Sequence, residues 1–137
     1  MHSFPPAFRA LVIGSSGAIG SAFAQLLQSD PLRPAVHCLH RHSQPAIDFG
    51  NEGSVAAAAA HFAPQGKFHL IINATGTLHS AQGMPEKRLA ELNYAQMEHS
   101  FRVNALGPAM VLCHFTPLLD SARGVLAVLS AKVGSIE

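Results

Sequence analysis

The chain has 137 residues, a hydrophobic content of 48% and nine basic against eight acidic side chains, which leaves a formal charge of +1. This length and hydrophobicity suffice for one buried core, so we expect a single domain over residues 1–137. The balanced charge, without a basic block, argues against nucleic acid or an anionic membrane as a partner and favours a small-molecule ligand.

Cysteine and histidine usage is the next feature. Cys38 and Cys113 match no disulfide, redox or metal-ligand spacing, and the nine histidines include no His-x-x-x-His pair. We therefore predict no metal site and interpret both cysteines as buried small hydrophobic residues in a reducing compartment. The sequence contains no signal-peptide pattern and no apolar run long enough for a membrane span, so a cytoplasmic protein is expected.

A strand, a glycine-rich loop and a helix open the predicted fold. Residues 10–13 form an uninterrupted apolar run, typical of a parallel strand buried on both faces, and apolar residues recur at helical spacing from Ala18 to Leu27. Between them, glycines permit a tight turn, close approach to a pyrophosphate and close helix packing, while the helix start offers free N–H groups. We interpret the segment as a dinucleotide phosphate loop formed by Gly14, Ser15, Ser16, Gly17, Ile19 and Gly20. Because the spacing Gly-x-x-Gly-x-x-Gly matches only half of the usual fingerprint, an ordinary strand-to-helix turn is the alternative.

Strands and helices alternate along the rest of the chain. Further strands are predicted at 35–39, 47–49, 68–72 and 125–129, and helices at 55–62 with Asn51 as cap, at 85–92, and from Asn93 towards Leu119 with Gln96 completing a capping box. This alternation predicts an α/β fold, a Rossmann-type doubly wound parallel sheet with strand order 3-2-1-4-5 that ends after the fifth strand.

The residues just after each strand are the candidate site residues, because ligands bind beyond the carboxyl ends of the strands in such a sheet. About 20 residues past the glycines, where an acidic residue would hold a ribose 2′-hydroxyl, the chain has His40 followed by Arg41. A guanidinium at this place can pair with a 2′-phosphate, which favours NADP (NADPH) over NAD. A solvated surface arginine is the alternative.

Two later segments extend the predicted cofactor site. Asp48 can accept a hydrogen bond from an adenine amino group and Phe49 can flank the ring, although an aspartate before a helix also serves as a cap. After the next strand, small residues let the backbone approach a sugar or nicotinamide closely, or form an ordinary turn. These residues are Asn73, Ala74, Thr75 and Gly76.

Asn104 and Pro108 lie four residues apart in the last predicted helix. Proline has no N–H to donate, so the carbonyl of Asn104 loses its intrahelical partner. We expect a local bulge that leaves this carbonyl available to water. A plain Gly-Pro kink is the alternative.

Together, these motifs resemble the N-terminal part of a short-chain dehydrogenase/reductase, nearest the C-factor-like and sniffer-like carbonyl reductases. The resemblance extends over essentially the whole chain and includes the glycine loop, Arg41, Asp48, the 73–76 run with Thr75 in place of the usual alanine, Asn104 in Val-Asn-Ala-Leu-Gly, and the segment from Ser130 to Ile136. It implies hydride transfer between NADPH and a small carbonyl or alcohol substrate, and a homo-oligomer is one expectation.

The resemblance also assigns catalytic roles. It implies that the Asn104 carbonyl holds a water of a proton relay, and that a serine binds the substrate carbonyl. The usual serine spacing before Gly134 falls on Ala131, so Ser130 and Ser135 are the two candidates.

The general acid that the resemblance implies, a tyrosine with a lysine four residues later, is missing from the chain. The sole tyrosine, Tyr94, is followed at that distance by Glu98, so we interpret Tyr94 as structural. The chain stops at Glu137, before such a pair would follow, and we therefore expect a fragment or truncated product that is inactive alone.

Two other functional hypotheses remain open, and one physical consequence follows from the last strand. A catalytically inactive NADP-binding module is the second functional hypothesis. A receiver-like or flavodoxin-like domain is the third, against which the glycine loop argues. Residues 125–129 are apolar at every position and so predict an interior strand, whose uncovered edge should cause self-association.

Overall fold

A computed structural model describes residues 4–78 and 87–130, in which a four-stranded parallel sheet carries helices on both faces. The strands are β1 (Arg9–Ile13), β2 (Ala35–Leu39), β3 (Leu70–Asn73) and β4 (Val125–Val128), in the order β2-β1-β3-β4. The helices are α1 (Ala18–Gln28), α2 (Glu52–Phe62), α3 (Tyr94–Phe101) and α4 (Gly107–Phe115). Short 3₁₀ turns occupy Ala63–Gln65, Leu89–Glu91 and Thr116–Leu118.

The central strand β1 contributes to two hydrophobic cores. Leu11 and Ile13 pack in one core with α2 and α4, which includes Phe115. Val12 packs in the other core with Leu27 of α1. Because successive strand residues point to opposite faces and both faces are covered, the strand is apolar and buried at every position after Arg9. The predicted Rossmann-type doubly wound α/β fold is confirmed.

The predicted strand at 47–49 is wrong, because this segment is a loop and β2 lies at one edge of the sheet within the described residues. The Ile47 N–H donates to the His40 carbonyl at 3.1 Å. The Asp48 N–H donates to the Ser54 hydroxyl at 2.9 Å, and that hydroxyl donates to the Asp48 carbonyl at 2.8 Å. The backbone is therefore satisfied locally, and the apolar Ile47 side chain is an anchor buried in the core. The predicted order 3-2-1-4-5 is accordingly observed without its strand 3.

The two predicted asparagine caps have different outcomes. Asn51 occupies the N-cap position of α2, but its side chain accepts no helix N–H, so that prediction is wrong in its mechanism. At α3, the Asn93 side chain accepts the Gln96 N–H at 3.0 Å, as the capping box predicts. Of the helix predicted at 85–92, the described residues show only the short turn Leu89–Glu91.

Pro108 widens the last predicted helix. One turn of π-helix, Arg102–Leu106, joins α3 to α4, and the Gly107 N–H donates to the Arg102 carbonyl five residues back. A wider turn accommodates the missing N–H of proline without breaking the helix. The bulge predicted at Asn104 is confirmed.

Two surface features complete the fold. Cys38 and Cys113 are exposed, so the prediction that they are buried is wrong. Cys38 lies on the edge strand β2, and Cys113 lies on α4 between the buried Val111 and Phe115, which places it on the opposite side of the helix. Across 4–78 and 87–130, no helix is both long and apolar enough to cross a membrane.

Candidate functional site

A groove of about 970 Å³ lies at the carboxyl edge of the sheet, lined by the loops that follow β1, β2 and β3 and by one face of α3. Volumes of this order are usual for sites that bury a small molecule or cofactor. The candidate residues that line it are Gly14, Ser16, Gly17, Arg41, Asp48, Phe49, Ala74, Thr75 and Gly76. The fold therefore brings the candidates from three separate loops to one place.

The three glycines of the first loop are required for different reasons. Gly14 has φ +85°, and a Cβ there would lie 3.0 Å from the Ala74 carbonyl. A Cβ at Gly20 would lie 2.1 Å from the Gly14 carbonyl oxygen, so any side chain would push α1 away from the loop. A Cβ at Gly17 would meet only that same oxygen, at 3.4 Å, an ordinary contact. The fold thus needs Gly14 and Gly20, whereas Gly17 leaves open space on the groove.

Of the residues beside these glycines, some hold the loop in place and others face the groove. The Leu39 carbonyl of β2 accepts the Gly14 N–H at 2.8 Å and both the N–H and hydroxyl of Ser15 at 3.3 Å. Ser15 therefore ties the loop to β2, whereas Ser16 is exposed on the groove. Ile19 is exposed but does not line the groove. The first-turn N–H groups of α1 have no intrahelical acceptor and are suited to an anion such as a pyrophosphate.

Arg41 and His40 follow β2 and line the groove beside the glycine loop. The Arg41 side chain is exposed, and no hydrogen bond or ion pair to another described residue holds its guanidinium. The guanidinium is therefore available to an anionic ligand. Arginine is a residue type that pairs with phosphate groups, so Arg41 fits a 2′-phosphate.

Asp48 and Phe49 form the next part of the rim. Asp48 Oδ1 accepts the Gly50 N–H at 2.8 Å, so half of the carboxylate shapes the loop. The Phe49 ring packs on Gly107, where an added Cβ would lie 2.1 Å from Phe49 Cδ2. The first residue of α4 thus fixes the aromatic ring at the edge of the groove.

Asn73 acts from beneath the groove and does not line it. It is completely buried, and its Oδ1 accepts the Thr75 hydroxyl at 2.6 Å and the Thr75 N–H at 3.2 Å. The Ala74 N–H donates to the Ile13 carbonyl at 2.8 Å, which continues the sheet into this loop. Asn73 therefore shapes the loop that presents Thr75 and Gly76 to the groove.

Asn104 contacts the same loop from the π-helical turn. Its Oδ1 accepts the Thr77 N–H at 2.9 Å and its Nδ2 donates to the Thr77 carbonyl, also at 2.9 Å. Gly76 lies alongside, where a Cβ would be 3.6 Å from Oδ1. The side chain is thus a structural clamp, and the proposed water-binding role belongs to the backbone carbonyl.

The sequence interpretation missed the wall formed by α3. Ala95, Glu98, His99 and Arg102 line the groove. Their spacing of three, four and seven residues from Ala95 places them on one helix face. Hydrophobic periodicity marks the face of a helix that packs on the core, whereas this face is mostly polar because it borders the groove.

The remaining candidates lie elsewhere. Ser130 is exposed after β4 and does not line the groove, and Ser135 lies outside the described residues. Tyr94, at the start of α3, is 86% exposed. Within the described part of the chain, no group of three His, Cys, Asp or Glu side chains is placed to hold a metal ion.

The fold is similar to that of solved dehydrogenases and reductases. NADPH-bound carbonyl reductase from chicken fatty liver has a TM-score of 0.80 at 18% identity, covering 97% of this chain and 60% of its own. The putative carbonyl reductase Sniffer of Caenorhabditis elegans has a TM-score of 0.75 at 17% identity, and the match covers 97% of this chain and 66% of the Sniffer chain. A small-chain dehydrogenase in complex with NADPH has a TM-score of 0.72 at 22% identity, covering 90% and 51%.

These similarities establish the fold expected from the resemblance to short-chain dehydrogenases/reductases. This chain spans between about half and two thirds of the length of the three solved proteins. No family model matches the chain, and no curated protein matches it in sequence.

Proposed function

We propose that this chain is the cofactor-binding half of an NADPH-dependent oxidoreductase of the short-chain dehydrogenase/reductase type, acting on a small carbonyl or alcohol substrate. The observation that carries the proposal is the groove at the carboxyl edge of the sheet, which Gly17 and Arg41 line from neighbouring loops, the Arg41 guanidinium having no partner among the described residues. The NADPH-bound states of two proteins with the same fold support it.

Each loop then has a separate task in holding the dinucleotide. The N–H groups at the start of α1 bind the pyrophosphate, and Arg41 pairs with the 2′-phosphate. Asp48 accepts from the adenine amino group, and Phe49 flanks the ring. The 74–76 loop contacts the ribose and nicotinamide through its backbone, because small side chains allow close approach.

The bound nicotinamide supplies or accepts the hydride, and the chain's own residues orient it. The Asn104 carbonyl, in the widened helical turn, holds a water molecule for proton transfer. Ser130 or Ser135 binds the substrate carbonyl oxygen. Tyr94 takes no part, since its ring is exposed on the surface and has Glu98 in place of a lysine four residues later.

A second candidate function is an NADP-binding module without turnover. The observation that favours it is the environment of Tyr94, because the only tyrosine of the chain is exposed and lacks the lysine that would acidify it. Both functions predict dinucleotide binding, and under both we propose a cytoplasmic homo-oligomer. Only the first function predicts hydride transfer once a tyrosine–lysine pair is supplied.

Calorimetric titration of the 137-residue chain with NADPH and with NADH tests the proposal. We expect binding of NADPH and weaker binding of NADH. Absence of binding by either dinucleotide at millimolar concentration would contradict both candidate functions. Neither function predicts reduction of an aldehyde or ketone by the 137-residue chain alone, because the chain has no tyrosine–lysine pair. Activity assays therefore separate the two functions only after the chain is joined to a segment that supplies such a pair: reduction with NADPH would support the oxidoreductase, and its absence would favour the binding module.

A further inference from the structure

The loop after β2 is built around the backbone of His40. The His40 N–H donates to the Ser43 hydroxyl at 2.9 Å. The His40 carbonyl accepts that hydroxyl at 2.8 Å and the Ile47 N–H at 3.1 Å. These contacts hold the imidazole at the end of β2, beside Arg41 on the groove.

The same loop determines which ring nitrogen of His40 can serve a ligand. Nδ1 accepts the His42 backbone N–H at 3.1 Å. A backbone N–H can only donate, so Nδ1 carries no proton in this arrangement, and the neutral ring has its proton on Nε2. The ring is therefore a donor through Nε2–H, and its one acceptor atom is already engaged.

We propose that His40 is a specificity-determining residue whose Nε2–H donates a hydrogen bond to the 2′-phosphate of the bound dinucleotide, next to Arg41. This inference rests on the proposed function. A phosphate oxygen only accepts, and so suits a ring that can only donate. The carboxylate that would select NADH at this place accepts from the 2′-hydroxyl, which His40 cannot do while Nδ1 holds the loop.

The two carboxylates on the groove do not replace His40 as the proposed donor to the 2′-phosphate. Asp48 has Oδ1 engaged by the Gly50 N–H, and Glu98 belongs to the α3 wall. The neighbouring His42 offers an internal comparison, because its backbone N–H holds Nδ1 of His40, while its exposed ring meets the His40 ring edge-on and does not line the groove.

The test uses 2′,5′-ADP and 5′-AMP as probes, which differ only in the 2′-phosphate, titrated into the 137-residue chain and its variants. His40→Asn retains an acceptor near the position of Nδ1 but has no group at the reach of Nε2. His40→Gln has an amide donor at that reach. We expect His40→Asn to weaken 2′,5′-ADP binding about tenfold, as for a lost hydrogen bond to a charged acceptor, with 5′-AMP binding unchanged. His40→Gln should recover most of the loss, and His42→Gln should match the parent chain.

Several results would overturn the assignment. Unchanged 2′,5′-ADP binding by His40→Asn would remove His40 from the site while leaving the proposed function intact. Equal weakening of both probes, or the same loss in His42→Gln, would assign the effect to loop structure. Long-range ¹H–¹⁵N NMR spectra that place the His40 proton on Nδ1 would contradict the tautomer directly. If the parent chain binds neither probe nor NADPH, the proposed function itself fails.

Discussion

The side-chain amide of Asn104 pairs with the N–H and the carbonyl of Thr77, 27 residues earlier in the chain, through two hydrogen bonds of 2.9 Å. Asn104 belongs to the π-helical turn and Thr77 to the loop that follows β3. The pair therefore fastens the helical wall of the groove to the loop that faces the glycines. Proline in the helix and asparagine in the bulge act together at this junction, because the widened turn carries the residue that makes the clamp.

We predict that Asn104→Ala lowers the free energy of unfolding by about 1–2 kcal/mol, through the loss of two exposed hydrogen bonds. Urea denaturation measures the change, and amide hydrogen exchange at Thr77 should become faster. Asn51→Ala is the matched control, because the Asn51 side chain accepts no helix N–H, and its effect should be much smaller. Equal effects of the two substitutions would show that the clamp contributes nothing specific.

The glycine loop should separate folding from binding. Gly20→Ala places a methyl group 2.1 Å from the Gly14 carbonyl oxygen, so we expect destabilisation of about 1–3 kcal/mol from overpacking. Gly17→Ala meets only an ordinary 3.4 Å contact, and its unfolding midpoint in urea should stay close to that of the parent chain. NADPH titration of Gly17→Ala should nevertheless show weaker binding, because the methyl group occupies the open space on the groove. Unimpaired binding would remove Gly17 from the proposed phosphate site.

Arg41 should carry much of the preference for NADPH over NADH. We expect Arg41→Ala to cost about 1.5–3 kcal/mol in NADPH binding, the usual contribution of a hydrogen bond to a charged group, and to leave NADH binding nearly unchanged. Arg123→Ala removes the same charge from the turn that precedes β4, at the amino end of that strand, and serves as the control. Retention of the full preference by Arg41→Ala would contradict the assignment.

His37 should make the fold less stable in acid. Burial of the imidazole lowers its pKa below the ordinary value, and the positive charges of Arg9 and His61 lower it further. The ring lies edge-on to Phe62 and Phe68, and Arg9 Nη2 lies 3.3 Å from Nε2. Because the folded chain binds this proton less readily than the unfolded chain, stability falls as the pH drops below about 6.5 and levels off below the lowered pKa.

We therefore expect His37→Gln to lose less stability between pH 7 and pH 5 than the parent chain, as measured by urea midpoints across that range. His42→Gln, an exposed substitution in the loop after β2, should show the same pH dependence as the parent chain. An identical slope for His37→Gln and the parent chain would remove His37 as the cause.

The outer edge of β4 should promote association of the 137-residue chain. Among the described strands, β4 pairs only with β3, and Val125 and Val128 are 47% and 38% exposed. Unpaired backbone groups beside apolar side chains favour strand-to-strand contact. Light scattering at tens of micromolar should detect oligomers, and a Val128→Lys variant should reduce them. A stable monomer of the parent chain would contradict this prediction.

Local patterns were sufficient where a segment's structure depends on its own residues. The apolar run of β1, the spacing of α1, the Asn93 cap and the bulge caused by Pro108 all follow from short-range rules, and the structure contains each of them. The strand predicted at 47–49 was wrong because the apolar-polar-apolar run Ile47-Asp48-Phe49 fits both a short strand and a loop with a buried anchor. The hydrogen bonds between the Asp48 backbone and the Ser54 hydroxyl stabilise the loop conformation.

The sequence by itself determined the alternation of elements, the parallel sheet and the candidates at the carboxyl ends of the strands, because hydrophobic periodicity and glycine spacing act over a few residues. Only the tertiary structure decided which residues share the groove. It brought in the polar face of α3, turned Ser15 towards the Leu39 carbonyl, set Asn73 beneath its loop and clamped Asn104 to Thr77. These outcomes depend on contacts between segments far apart in the chain, and no local spacing contains that information.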